Sequence, residues 1–550
     1  MPPDRTALAR MGKLVMADVA TGRPGLNSEA VSRALEARPE AALDLLDMLL
    51  AEAGRKRRNE KLVTAYGYML GQALEYARYA IEGGFEHAVA LVDAVRERLL
   101  AAGKQGRAEP ALLLMVLQEF ARAKLDPGSE LRALMEQRMA AMALEAAGPD
   151  PGAEGIAGLD SHFAELARAV GGDAFALYAH VQEMASAFPE DQRAAFGAWL
   201  LQAREETARE AALGWLLDAS ASVRNSTASE IEHATARGGV SGTMLRRLIA
   251  VRNWLPEADR ASVDRTVQAC RRKGVEIGPW PQPQLREVLT SVIDGAGAQS
   301  VFVLAREGRR QAIGCLLLKH GIGIRDAWAR HGLTRAEVGE FLEQLQAIEL
   351  VPTSLDYVRI AAAHALATNL TSGVMPPFAM LDVMETVGLQ GLQPEALTAD
   401  AMLGLLEAEA DPALSQPEAT AAVLTSSRAF PDEFGFLDSW FEADTEVERL
   451  LGGAATTRAK RIARVRDELL PRRTAKWVER LAWAALTLRH AEEDEPWEAF
   501  YVSARELKAE RPIVDIPLMM RVALQTVDAH ATSRRQAGPT RKKASPGKTW

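Results

Sequence analysis

The chain holds only two cysteines in 550 residues, Cys270 and Cys315, and each stands alone. That excludes a disulfide framework and a four-cysteine metal site, and it points to a reducing compartment. Aromatic residues are scarce at 6%, whereas sandwiches and barrels lean on aromatic and β-branched side chains. No run approaches the roughly 18 consecutive apolar residues that a membrane-spanning helix needs. The stretch from Met1 to Val19 carries Asp4, Arg5, Arg10, Lys13 and Asp18, so it lacks the apolar centre of a signal peptide. These absences predict a soluble, cytoplasmic protein with no membrane contact.

Signatures of chemistry are missing as well. Gly547-Lys548-Thr549 ends like a phosphate loop, but Lys542 stands where the earlier glycine belongs. Gly295-Ala-Gly297 and Gly321-Ile-Gly323 have Ser300 and Asp326 in place of the third glycine of a dinucleotide fingerprint. Gly-x-Ser-x-Gly does not occur. Glu230-Ile-Glu-His233 has the i, i+3 spacing of a carboxylate–imidazole pair, yet a di-iron site needs a second such pair and none exists. Arg271, Arg272 and Lys273 follow Cys270, and His320 and His331 lie near Cys315 in the chain. Buried, inert thiols are the simpler expectation. The sequence thus predicts no cofactor, no metal and no catalytic residue, and it favours a non-enzyme.

What is present is helix. Ala, Leu, Glu and Arg dominate, the residues that lose least on entering one. Apolar positions at three- and four-residue steps predict helices from Ser28 to before Pro39, and over Glu40–Ala53, Glu60–Glu82, Glu86–Ala102, Glu109–Lys124 and Ser129–Ala147. In the Glu86 helix, Val89, Leu91, Val92, Val95, Leu99 and Leu100 make one apolar stripe. Two prolines and four glycines in residues 148–158 mark a linker. Helices resume over 159–273. Pro279, Pro281 and Pro283 then break the pattern, and Val288–Ile293, Ser300–Ala305 and Gln311–Leu318 read as strands, parted by Asp294-Gly295 and Glu307-Gly308. Helices return from Ile324 and run, with breaks near Gly373, Pro376-Pro377, Gly391, Pro412 and Gly452-Gly453, to about Ala531.

The expected organisation is an N-terminal helical domain (1–147), the linker, a second helical domain (159–273), a small α/β module (274–350) and a C-terminal helical domain (351–531). A basic, disordered tail (532–550) completes it. Within the second domain, Leu213-Gly-Trp-Leu-Leu-Asp218, four small residues and then Val223-Arg224 resemble one HEAT-type helical repeat. The resemblance covers about 25 residues, and it implies two antiparallel helices with Asp218 and Arg224 paired across the turn. The predicted fold class is therefore predominantly all-α, an array of antiparallel, HEAT-like hairpins with a three-stranded antiparallel β-meander near 286–319.

Charge is laid out in blocks around a net of −9. No Lys or Arg occurs from Ile360 through Ser427, and Asp432 to Glu448 adds seven acids without a base. Arg458 to Arg480 reverses the sign. Mutual neutralisation within one fold is the first expectation. Arg458, Arg461, Arg464, Arg472, Arg473 and Lys476 are otherwise candidates for binding a protein partner. Trp477, Leu481, Ala484, Ala485 and Leu488 share a helical face and read as core. Arg325 to Phe341, with Gly332 as turn, resembles a helix-turn-helix, although Trp328 is bulky and Glu337, Glu340 and Glu343 are poor company for phosphates. Nucleic-acid contacts on that reading are Arg325, Arg330 and Arg335, with Arg541, Lys542 and Lys543 in the tail. The leading functional expectation is a non-catalytic scaffold or adaptor for a protein partner. A nucleic-acid-associated regulator comes second, and an enzyme with a site assembled around the meander third.

Overall fold

Apolar residues at helical spacing need a partner surface, and the N-terminal segments find one in each other. The computed structural model describes residues 5–21, 26–36, 38–146, 162–453, 457–493 and 495–537. Helices span Arg5–Thr21, Leu26–Glu36, Ala41–Ala53, Glu60–Glu82, Glu86–Lys104, Pro110–Arg122 and Ser129–Ala146. The first of these is absent from the sequence reading above. Asn59 caps the Glu60 helix by accepting from the Leu62 amide. Leu45, Leu46, Leu49, Met69, Leu70, Leu74, Val95, Leu117 and Phe120 meet in one buried cluster. In the Glu86 helix the buried arc is Ala88, Leu91, Val92, Val95, Leu99 and Ala102. Val89 lies off that arc and is exposed, which narrows the expected stripe.

A second apolar cluster runs from Phe163 to Val527 and includes one face of the sheet. Strands β1 (Gln284–Ser291), β2 (Ala298–Glu307), β3 (Arg310–Lys319), β4 (Gly323–Leu333) and β5 (Leu350–Pro352) form it. Their order is β4-β3-β2-β1-β5, antiparallel throughout. Side chains alternate across it. Leu289, Phe302 and Cys315, with Leu304 and Ile313, pack under Val338, Phe341 and Leu342 of the Arg335–Gln344 helix. Val301, Val303, Leu316, Leu318 and Ile324 face the larger core.

Three expectations are corrected here. The meander has five strands, not three, because residues 323–333 pair with β3 instead of forming a helix and Leu350–Pro352 pairs with β1. Their Arg, Ala and Trp residues favour helix weakly, but the β3 ladder supplies a partner for every second amide, and tertiary pairing outweighs so small a preference. Gly323 (φ 104°) closes the turn, and a Cβ there would stand 2.4 Å from the Ala365 carbonyl oxygen. The Arg325–Phe341 segment is consequently strand, cap and helix rather than helix-turn-helix: Thr334 and Glu337 form a capping box that starts the helix only at Arg335. Finally, Asp218 and Arg224 do not pair as side chains. Asp218 binds Arg193, while Arg224 donates to the Asp218 carbonyl and bonds Asp259 at 2.5–2.8 Å. Residues Ala212–Leu217 are a 3-10 turn, with Tyr178 pressed against Gly214. The structure is predominantly helical with one small sheet. The expected linker at 148–158 lies outside the described residues. The Pro517–Ala537 helix reaches past 531, and 538–550 also lie outside them.

The acidic and basic blocks meet. Glu442, 2% exposed, accepts from Arg473, from Lys476 Nζ at 2.7 Å and from Trp477 Nε1 at 2.8 Å. Arg473 also reaches Asp444 (2.6 Å) and Glu446 (2.8 Å). Burial works against charge on Arg473, but these three carboxylates hold its pKa above the ordinary value. Trp477, Leu481, Ala484, Ala485 and Leu488 are buried as expected. Removing one partner of such a network leaves the others charged and dry, a cost on the order of 3–5 kcal/mol. Glu442→Ala is therefore expected to lower the urea midpoint sharply, and Glu442→Gln, which keeps an acceptor for Trp477, by less. Equal midpoints for Glu442→Ala and the native chain would show that the hub is dispensable.

Candidate anion-binding cleft

Pro281 and Pro283 deny the chain a helix just before β1. A register shift between Leu285 and Glu287 then leaves Arg286 outside the ladder, as a β-bulge does. On the neighbouring strands Glu307 faces Arg310 across the β2–β3 hairpin, closed by Gly308 and Arg309 with Gly308 in the left-handed region (φ 59°). Gln284, Arg306, Gln311 and Leu333 form one row across β1 to β4, with neighbouring strands about 4.8 Å apart. Two residues beyond Leu333 the capping box starts a helix with Arg335. These local decisions bring Arg286, Arg306, Arg309, Arg310 and Arg335 to one end of the sheet. With Gln284, Leu285 and Gln311 they line an open cleft of about 610 Å³.

No acid lines the cleft, and two acids close to its arginines in the chain, Glu307 and Glu337, are hydrogen-bonded to other groups. Glu337 accepts from the Thr334 amide and hydroxyl, both at 2.7 Å, and these bonds, with a smaller pull from Arg310 beyond ion-pair distance, hold its carboxyl below the usual range. Glu307 is clasped by His331: Oε1 lies 2.7 Å from Nδ1, and Oε2 accepts from the Gly332 amide at 3.1 Å. The other imidazole nitrogen, Nε2, lies 3.0 Å from Asp382 Oδ1. Among the described residues none of the five guanidinium groups lies within ion-pair distance of a carboxylate. Arg306 Nε is satisfied by the Gly308 carbonyl at 2.8 Å.

Two larger clefts are lined by acids as well as bases. One of about 640 Å³ opens beside His331, between residues 170–175, the Met380–Val387 helix and the end of β4. Polar groups converge there from distant parts of the chain, but they bind each other. Glu385 takes Arg246 (2.7 Å) and Arg247 (2.8–2.9 Å), which also reaches Glu210 (3.0 Å). Burial pushes Glu210 and Asp382 up. Against the same burial, Arg247 and Arg246 hold Glu385 down. Asp173 caps the Ala174–Ala185 helix, and Arg330 lies over the Trp328 ring at 5.1 Å. In the N-terminal array a cleft of about 810 Å³ is lined by Arg5, paired with Asp47, and Arg58, paired with Glu60 and Glu109. A chamber of about 40 Å³ under the sheet holds His320, His364 and Trp483. Burial, with Arg480 and other cations nearby, depresses His320 to about 4, so its ring is neutral.

Of the residues singled out from sequence, Arg335 alone stands in the arginine cleft. Arg325 is sealed against Glu82 at 2.8 Å. Arg458 pairs with Asp528 (2.8 Å), Arg464 with Glu468 (3.2 Å) and Arg472 with Glu446 (2.5 Å), while Arg461 belongs to the same basic helix. Arg541, Lys542 and Lys543 lie outside the described residues. Cys270 and Cys315 are both buried, and burial raises the Cys315 thiol to about 12. Glu230 and His233 stand 3.7 Å apart at the surface. Among the described residues no three His, Cys, Asp or Glu side chains group as a metal would require, and no helix is long and apolar enough to cross a membrane. The sequence reading missed Arg286, Arg306, Arg309 and Arg310. Their signal, a run of bases around Glu307-Gly308, acquires meaning only with the strand register.

Three family models match the chain: the N-terminal domain of an uncharacterised protein y4lR over residues 13–128, the Y4lR second domain over 189–274 and the Y4lR C-terminal helical domain over 400–531. The chain is 26% identical over 472 residues to a Sinorhizobium fredii protein described as uncharacterized protein y4lR, covering 84% of this chain and 88% of that one. No solved structure matches. The sheet and the arginine cleft fall between the second and third of these matched segments.

The clasp titrates. The bond from Asp382 does most to raise His331 from 6.5 to about 9, against burial and with help from Glu307. Because the folded value lies above the unfolded one, the clasp's contribution to stability is complete below pH 6.5 and is lost as pH rises through 9. The stability gap between the native chain and His331→Gln, measured by chemical denaturation on either side of that window, is expected to narrow at the alkaline end. A gap independent of pH would mean the imidazolium is not what holds Glu307.

Proposed function

We propose that this chain is a non-catalytic helical scaffold that captures a densely anionic partner in the arginine cleft. The observation carrying this reading is a contrast in charge compensation. Arg193, Arg224, Arg246, Arg247 and Arg473 are each matched by carboxylates, whereas the five cleft arginines are exposed with no carboxylate partner among the described residues. Like charges gathered in one place repel, by about 0.5 kcal/mol for two cations 8 Å apart in water. A fold gains nothing from that repulsion, and a bound polyanion reverses its sign. The polar groups beside His331 support catalysis less well, since the acids there are already engaged and Arg330 lies over the Trp328 ring. A nucleic-acid partner, no longer supported by a helix-turn-helix, keeps Arg335 as a contact.

The test compares the native chain with Arg306→Glu/Arg310→Glu, checked for unchanged melting, as baits for native lysate. Partners held by the native chain and released by moderate salt are expected to vanish with the variant. An identical set on both baits would remove the cleft from the reading.

A further inference from the structure

We infer that the ligand of the arginine cleft carries clustered phosphate groups, held through their oxygens with no recognition of the moiety between them. This rests on the cleft being the binding surface. All five cations lining it are arginines and none is a lysine. The planar guanidinium offers paired donors that match two oxygens of one phosphate, whereas an ammonium acts as a point charge. Gln284 and Gln311 add side-chain amides to the lining. The ten-residue helix at Arg335 has its Glu337 amide engaged by Thr334, which leaves the Arg335 and Ala336 amides without intrahelical acceptors beside the cationic cluster. Donors outnumber every other feature of the site.

Carboxylates also accept from arginine, so an acidic peptide is the competing ligand, and the geometry disfavours it. The cleft crosses the ends of β1, β2 and β3, so its arginines are spread over several elements instead of following the Gln284–Glu287 edge of β1 that β5 leaves unpaired, and a peptide added there as a strand would meet few of them. Leu285 is the sole apolar residue in the lining, which leaves nothing to anchor side-chain stems. Phosphates need neither. No aromatic ring lines the cleft, so nucleic-acid bases would find no stacking surface, and a strand would be held by its backbone without sequence preference. The net charge of −9 repels polyanions at long range, so the contact is short, with at most one phosphate per arginine.

Two sources carry such phosphates: the backbone of a duplex nucleic acid and a free polyphosphate chain. Fluorescence anisotropy of the full chain with a labelled short duplex, with linear polyphosphate and polyglutamate as competitors, separates them. The duplex arm predicts binding whose log K falls against log salt with a slope of about −3 to −4.5, for three to five phosphates. Arg306→Glu/Arg310→Glu weakens it about tenfold or more, and Arg309→Ala/Arg335→Ala flattens the slope by about two. Arg306→Lys/Arg310→Lys keeps the charge and loses the fork, so an intermediate loss supports guanidinium–phosphate pairing. Polyphosphate that binds in the cleft when the duplex does not assigns the free chain as the source. Polyglutamate matching both overturns the phosphate inference while leaving the cleft reading intact. If no polyanion binds, or the charge-reversed variant binds equally well while melting like the native chain, the cleft reading itself falls.

Discussion

Glu442 is a carboxylate almost wholly removed from water, and an isolated charge in that position would not persist in a folded protein. It persists because Arg473, Lys476 and Trp477 converge on it from the basic stretch while Thr526 accepts its backbone amide. The two blocks of opposite charge in the C-terminal third are thus halves of one internal assembly. Around it the aromatic rings of Phe436, Trp440, Trp477 and Phe500 pack in edge-to-face and tilted pairs. The β1–β2 turn is drawn onto the same place: Trp440 Nε1 donates to the Ile293 carbonyl, Arg480 donates to the Gly295 carbonyl, and a Cβ on Gly295 would collide with the Ser439 carbonyl. The sheet is held in position by the compensation of charge as much as by apolar contact.

Compensation also divides the charged places of this molecule into two kinds. Several deeply placed arginines are matched by acids: Arg224 by Asp259, Arg246 and Arg247 by Glu385, Arg473 by three acids, while Arg480 is held by the Gly295 carbonyl instead. Those pairings make the cleft beside His331 look like an active site in its inventory of polar residues, yet they use up the groups that a substrate would need. The end of the sheet shows the opposite pattern, with cations held by backbone register and left without acids. Perturbed titration marks the first kind of place and excess charge the second.

Much of the helical architecture is legible from spacing alone, because the Glu60–Glu82 helix and its neighbours carry apolar stripes bounded by caps and glycines. The three central strands are also legible, since Asp294-Gly295 and Glu307-Gly308 are turn chemistry. The segment from Ile324 to Leu333 is not. Its composition favours helix, and only the pairing partner in β3, upstream in the chain, makes it a strand. The Asp218–Arg224 expectation failed for a related reason: Asp259, remote in sequence, lies within reach of Arg224 and takes its place. The candidate site was the least legible part. Arg286, Arg306, Arg309, Arg310 and Arg335 span fifty positions, and their meeting depends on a bulge, a hairpin register and a helix start acting together.

His331 has a consequence beyond anchoring. Glu307 sits in the same hairpin as Arg306, Arg309 and Arg310, and it is the acid best placed to fold onto them. By keeping that carboxylate occupied, the imidazolium keeps it off the neighbouring guanidinium groups, and the five arginines stay outside ion-pair distance of any described carboxylate. A residue that shapes the positive charge of the cleft thus does so from outside its lining; it acts as a sequestrant, and the hairpin's own acid is what it sequesters.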